Sequence, residues 1–390
     1  TRRTVVLAKT NTGDYGADPS PLAEDGILCN MSPSITPEGE QLQRDAVRDT
    51  MSPLGQVIAA KRNSLSLECE LKGGGTNDSG EVQPPEYDPL LLACGFQKET
   101  GGGEKIKLSS TDVTSFTLGE TVTGGTSGAS GKLVQTIGGS GGQLVLAHIT
   151  SGPFEDNEDV TGGTSGTTGT VDGSPDDAVI YYPQSNPSLV QDCGIYFHVD
   201  GIRHKALGAI GDMSLNIEVN GVPSISFNFS ALYSAPSDQS LPSPSLLDLT
   251  PPVANNMALM LSDYNPAAVN ALTLSMDSEV TRLDDVAAAD GIKGFRITDR
   301  SPNGSLDPEV DTIANFDPFT AWANANPARL SAAIGSAAGN RVGLFNPKAL
   351  YSQVQYNDRN GYRVYSLPFL CRGDDLTSSG GDDEVYLIFT

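Results

Sequence analysis

The side chains that could do chemistry are few. The 390-residue sequence holds three histidines. Two of them, His198 and His204, flank Asp200-Gly201 in Tyr196-Phe-His-Val-Asp-Gly-Ile-Arg-His204, which reads as a hairpin. A zinc ion there would need two more ligands, and no neighbouring Cys or His pair supplies them. Carboxylates cluster at Asp374-Asp375 and at Asp382-Asp383-Glu384 without the spacing or the glycine of an EF-hand loop, so they read as a solvated or channel-facing acidic loop. The Ser-rich segments contain no G-x-S-x-G elbow with a partnering His. The Gly-rich runs lack the Lys-Ser/Thr and the strand–loop–helix setting of a phosphate loop. No catalytic, cofactor-binding or metal-binding residue is assigned, and the chain reads as not an enzyme.

Five cysteines, Cys29, Cys69, Cys94, Cys193 and Cys371, include no C-x-x-C pair. Set among apolar neighbours, as in Leu92-Ala-Cys94, they read as small, reduced core residues of a protein made in the cytosol. The N-terminal Thr1–Lys9 has too short an apolar run for a secretory leader, and no apolar stretch is long enough for a membrane span.

What positions these side chains is β structure. Forty-three glycines and 25 prolines imply many turns rather than long helices. The formal charge of −24, from 24 basic and 48 acidic residues, argues against nucleic-acid binding, which draws on Lys and Arg.

The composition changes near residue 100. Residues 101–178 hold 18 of the 43 glycines and two aromatics, Phe116 and Phe154. Within them Glu120-Thr-Val-Thr-Gly-Gly-Thr-Ser-Gly128 recurs as Glu158-Asp-Val-Thr-Gly-Gly-Thr-Ser-Gly166, 38 residues later. Between the copies lies an alternating strand, Gln143-Leu-Val-Leu-Ala-His-Ile149. This segment reads as a small β domain inserted into a host. Five prolines between Pro236 and Pro252 mark an inter-domain linker.

The flanking bodies read as distant copies. In the first, Lys61–Leu71 alternates with period two, and a short helix starts at Tyr87-Asp88-Pro89 with Asp88 as N-cap. A hairpin then runs from Met213–Val219 through Asn220-Gly221 to Ile225–Phe229. In the second, Gly294–Thr298 is the matching strand, Phe316-Asp317-Pro318 the helix start, and Asn360-Gly361 the hairpin turn before Tyr362–Phe369. Lys205-Ala-Leu echoes Lys348-Ala-Leu. From Asp88 to Lys205 is 117 residues, and from Asp317 to Lys348 is 31; without the 78 of the insert the first distance falls to 39. The expected domains are therefore 1–100 with 179–240, the insert 101–178, a linker 241–255, and 256–390.

Several of these motifs resemble the major tail tube proteins of long-tailed, siphovirus-type phages. The resemblance runs through Ala8-Lys9 to Tyr15-Gly16, Glu40 to Arg44-Asp45, Leu67–Gly75, Tyr87–Phe96, Ile195–Lys205 and Gly221–Phe229. It covers both bodies, the second more weakly, and omits the insert. It implies a mainly β fold, with two tandem β-barrel or sandwich domains each carrying a short helix. It implies a virion structural protein, assembled in the host cytoplasm, whose rings stack into a tail tube around a DNA channel. The partners implied are other copies of the chain, the tape measure protein, the tail terminator and distal tail proteins, with phage DNA passing without tight binding and no membrane. Two such units per chain predict homo-trimeric, pseudo-hexameric rings; an appended second body would instead give hexamers. The acidic excess, Glu218 included, is expected to face the channel, and the insert to decorate the outside. Two other readings stand beside this one. A β-rich phage adhesin or receptor-binding protein would account for the repeated module. A carbohydrate-active enzyme would need paired carboxylates in an aromatic groove, against 6% aromatics.

Overall fold

The computed structural model describes residues 3–30, 33–266, 268–374 and 381–390. The fold is mainly β, with two short α-helices, Asp88–Ala93 and Pro318–Ala323. No closed barrel is found among the described residues. An 18-stranded sheet network carries strands from both sides of the proline-rich segment.

The strand Ile202–Glu218 is the spine of that network. One edge pairs first with Cys193–Val199 and then with Ala271–Ser275; the other pairs with Ser224–Tyr233. Ser224–Tyr233 pairs in turn with Val57–Glu70, where burial alternates from Asn63 to Cys69 as the sequence pattern predicts. Past Ala271–Ser275 the ladder continues through Asn303–Leu306 to Tyr362–Arg372 and on to Val342–Tyr351. The strand Tyr386–Phe389 then sits between Val342–Phe345 and Val179–Tyr181. Val179–Pro183 itself pairs with Phe96–Glu99. The earlier and later parts of the chain are thus stitched together twice.

Turn chemistry explains the tight hairpins. Asp200 and Gly201 have φ of 46° and 96°, and Asn360 and Gly361 have 52° and 91°. Both pairs form two-residue loops between Val199↔Ile202 and Arg359↔Tyr362, the geometry that needs positive φ at both positions. The loop at Asn220-Gly221 is wider than its sequence predicts, since the last register pair is Asn216↔Ser224. Pro223 has no N–H with which to extend the ladder.

Two local expectations are corrected. Asp88 is not the cap of its helix: Tyr87 occupies that position without a side-chain bond. The Asp88 carboxylate instead receives Lys98 Nζ at 2.9 Å and the Tyr181 hydroxyl at 2.5 Å. Asp317 does cap, accepting the Thr320 N–H at 2.9 Å. The 292–300 strand also does not occupy the place of 61–71. The neighbour of Tyr362–Arg372 is Asn303–Leu306, while Ile292–Arg300 forms a separate two-stranded ladder with Ser278–Asp284. Its Ile292 and Phe295 are drawn against Ile210. There the Tyr15 hydroxyl donates to Gly208 O (2.6 Å) and accepts the Phe295 N–H (2.9 Å).

A six-stranded sheet spans residues 105–170 and has its own core of Ile106, Leu108, Val122, Leu133, Leu144, Leu146 and Val160, among others. The strand Gln143–Thr150 does not alternate as expected: Leu144 to Ala147 are all buried, so both of its faces are covered. Leu144 and Leu146 enter that core, while Val145 and Ala147 pack on Ile180, Phe345, Tyr386 and Ile388 of the large sheet.

Candidate assembly surface

His198 pairs across its hairpin with Arg203, and His204 with Phe197, so the two imidazoles lie on opposite faces. His198 is buried, with Nδ1 unpartnered, and burial followed by the nearby Arg203 charge holds its pKa below the usual value. In the acidic cluster the described carboxylates are ion-paired. Asp383 is buried and receives Lys132 Nζ at 2.5 Å and the Asp374 N–H at 3.0 Å. Arg300 binds both Asp382 and Glu384, and Lys348 reaches Asp374 at 3.0 Å. Asp375 lies outside the described residues. Among the described residues no group of three or more His, Cys, Asp or Glu is placed to hold a metal.

What the fold does present is an arm. Val57–Glu70 pairs with the main sheet only from Arg62 onward. Residues 57–59 pair solely with the partner strand Ser34–Leu42, out to Leu42↔Val57, and the ribbon ends in the loop 43–56. The arm carries apolar side chains into solvent: Leu42, Val57 and Ile58 are about half exposed, and Val47 and Met51 fully so. A two-stranded ribbon of this kind is marginal on its own. Its flank is braced by the 278–300 hairpin through Arg282–Glu40 at 2.7 Å and Lys61–Asp290 at 3.0 Å. Val286, at the tip of that second hairpin, is also fully exposed.

Sequence reasoning used Glu40–Asp45 only as a point of likeness and missed the arm. The strand Ser34–Leu42 has no apolar alternation: Ile35 packs against the core and the rest of the strand is exposed. The available signal was the apolar run Val57-Ile-Ala-Ala60 directly before Lys61, which belongs to the same strand.

The insert's repeats meet as antiparallel neighbours, with Thr123↔Thr161 at the centre. The Glu158 carboxylate accepts the N–H groups of Thr126 and Ser127 and the Ser127 hydroxyl, at 2.9–3.1 Å. Glu120 accepts the corresponding groups of Thr164 and Ser165, at 2.7–2.8 Å. Burial raises both carboxyls, but these donors and those of Thr117 and Glu155 outweigh it, leaving each below the ordinary range. A Cβ at Gly124 or Gly162 would stand 2.6 or 2.5 Å from the partner carboxylate, so the motif needs glycine there.

The 105–170 sheet is joined to the large sheet by polar as well as apolar contacts. Lys132 reaches Asp383, His148 Nε2 meets the Tyr386 hydroxyl at 2.9 Å, and Glu99 accepts the N–H groups of His148 and Ile149. The proline-rich segment is likewise packed down. Lys72 Nζ donates to Leu247 O, Asn340 Nδ2 to Thr250 O, and Ser237–Asp238 pairs with Ile202–Arg203.

Comparison with known proteins adds the following. A family model described as phage tail tube protein matches residues 1–383. No curated protein matches the chain.

Proposed function

We propose, because the chain belongs to the phage tail tube protein family, that it self-assembles into stacked rings forming the tube through which DNA leaves the virion. As a member of that family it is a structural component of the phage tail. It is a non-enzymatic, siphovirus-type subunit made and assembled in the host cytoplasm. It would meet the tape measure protein inside the tube and the tail terminator and distal tail proteins at its ends.

The observation that carries this reading is the join between Ser214–Glu218 and Ala271–Ser275. There a strand of the first body continues edge to edge into a strand of the second. That is the contact which, repeated between chains, closes a ring and removes its exposed strand edges. With two tube units per chain, 1–100 with 179–240 and 256–390, three chains supply six positions. The ring is then a homo-trimer of pseudo-hexameric form. The arm at 34–59, which carries the exposed Leu42, Val47, Met51, Val57 and Ile58, is the surface offered to a second copy. The insert 101–178, with its own core, is placed outside the wall, and the segment 241–255 links the units. The acidic excess, Glu218 included, faces the channel, where like charge prevents phosphate contacts from holding DNA.

Electron microscopy of the purified chain at high concentration tests this. Long hollow tubes with three outer protrusions per ring are expected. Six equivalent protrusions would make the rings hexamers, and discrete monomers at every concentration would overturn the assembly reading.

A further inference from the structure

The root of the arm contains two thiols that the tail reading leaves without a role. Cys29 and Cys69 face each other across an isolated antiparallel bridge, with Sγ atoms 3.9 Å apart. The Asn30 N–H donates to Glu68 O at 2.7 Å, one position beyond the pair on each strand. That bond marks a non-hydrogen-bonded pair, the close kind, with Cα atoms roughly 4.5 Å apart. Such a separation lies within the range a disulfide spans, so side-chain rotation suffices to join the sulfurs.

We propose that Cys29 and Cys69 form a covalent-modification site, an intramolecular disulfide that clasps the base of the arm when the chain meets a small disulfide oxidant. Cys29 is half-buried and Cys69 is fully buried. The hydrogen bond with Cys29, and then burial, push the Cys69 thiol above its usual pKa. The reaction therefore begins at Cys29. Its thiolate attacks one sulfur of glutathione disulfide, that S–S bond breaks, and one glutathione leaves as a thiolate that takes up a proton. Cys69 gives its proton to water and attacks Cys29 Sγ, the mixed disulfide breaks, and the second glutathione leaves. Two protein thiols are oxidised and one glutathione disulfide is reduced to two thiols.

The position of the bond gives it a consequence. The closed loop runs from residue 29 to residue 69 and contains the exposed ribbon and its tip. Arg44 and Arg48 lie exposed in that tip, so the bond holds the chain together even when the tip is cut. Cys94, Cys193 and Cys371 are buried and serve as internal references. The proposal stands on the bridge geometry and is independent of the tail reading.

The full chain is incubated with glutathione disulfide, denatured and alkylated. Three alkylated thiols instead of five are expected, with the mass of two hydrogens lost and a cross-linked peptide joining Cys29 to Cys69. Limited trypsin cleavage at Arg44 or Arg48 is expected to leave one species without reductant and two fragments with it. Cys29→Ser, at a half-buried position, should abolish the cross-link. Cys69→Ala should stop at a stable glutathione adduct on Cys29. Five alkylated thiols after oxidation, a cross-link between other cysteines, or a glutathione adduct that persists in the unmutated chain would overturn the proposal.

Discussion

Glu158 and Ser127 lie 31 residues apart in the chain and meet at 2.9 Å, and Glu120 and Ser165 repeat the contact at 2.8 Å. Each copy of the nine-residue repeat therefore closes the turn of the other. The repeat is a pairing device, and neither copy is complete alone.

Glu120→Ala and Glu158→Ala are expected to destabilise the insert by similar amounts, about 1–3 kcal/mol each, because the turn N–H and hydroxyl groups lose a charged acceptor. Both carboxyls lie below their ordinary range. Their stabilisation is thus complete above the unfolded glutamate pKa and is lost as pH falls through the lowered folded values. Hydrogen exchange of residues 121–170 at neutral and at acid pH measures this, and unequal effects of the two substitutions would count against the reciprocal arrangement.

The two Asp-Pro helix starts should respond differently. Asp88→Ala removes the partner of Lys98 and of the buried Tyr181 hydroxyl, and should cost about 1–3 kcal/mol in global denaturant unfolding. Asp317→Ala removes a cap, and its effect should be confined to faster exchange at residues 318–323.

His148 makes the seat of the insert sensitive to pH. Burial holds its pKa below the usual histidine value, against the opposing pull of Glu99, Asp382 and Asp383 and alongside the repulsion of Lys132. A histidine kept neutral in the fold contributes stability that is full above its unfolded pKa and is lost as pH falls below it. Protection of residues 143–150 and 386–389 should weaken on acidification from about pH 6.5, the unperturbed histidine value. In His148→Phe that step should disappear.

Removing residues 101–178 should not be neutral. The deletion uncovers Ile180, Phe345, Tyr386 and Ile388, all fully buried in the whole chain. Exposed patches of this kind promote association. A deletion variant is expected to aggregate, and polar substitutions at Ile180 and Ile388 should restore solubility. A soluble, stable variant without them would show the seat to be weak.

Val47→Asp and Met51→Asp change side chains that touch little of their own chain, so stability should stay within about 0.5 kcal/mol of the unmutated chain. Self-association should fall sharply, as read by sedimentation or by microscopy of tubes. Unchanged assembly would remove the arm tip from the subunit contact.

The sequence by itself determined the local features. Period-two alternation set the strand through 61–70, Asp-Gly and Asn-Gly set the tight turns at 200–201 and 360–361, and the Gly-rich repeat set short strands at 121–124 and 159–162. These follow from one segment's own backbone and side-chain preferences, which the residues carry with them. Where a choice lay between partners far apart in the chain, only the tertiary structure decided it. Asp88 and Asp317 share the same Asp-Pro start, yet one binds Lys98 and Tyr181 while the other caps, because only Asp88 has those neighbours packed against it. The 292–300 strand had the pattern to pair beside 362–372, but Asn303–Leu306 took that edge and Phe295 was drawn to Ile210. The arm's exposure and the 3.9 Å approach of Cys29 to Cys69 are of the same kind. Burial and register belong to pairs of segments, and no single segment encodes them.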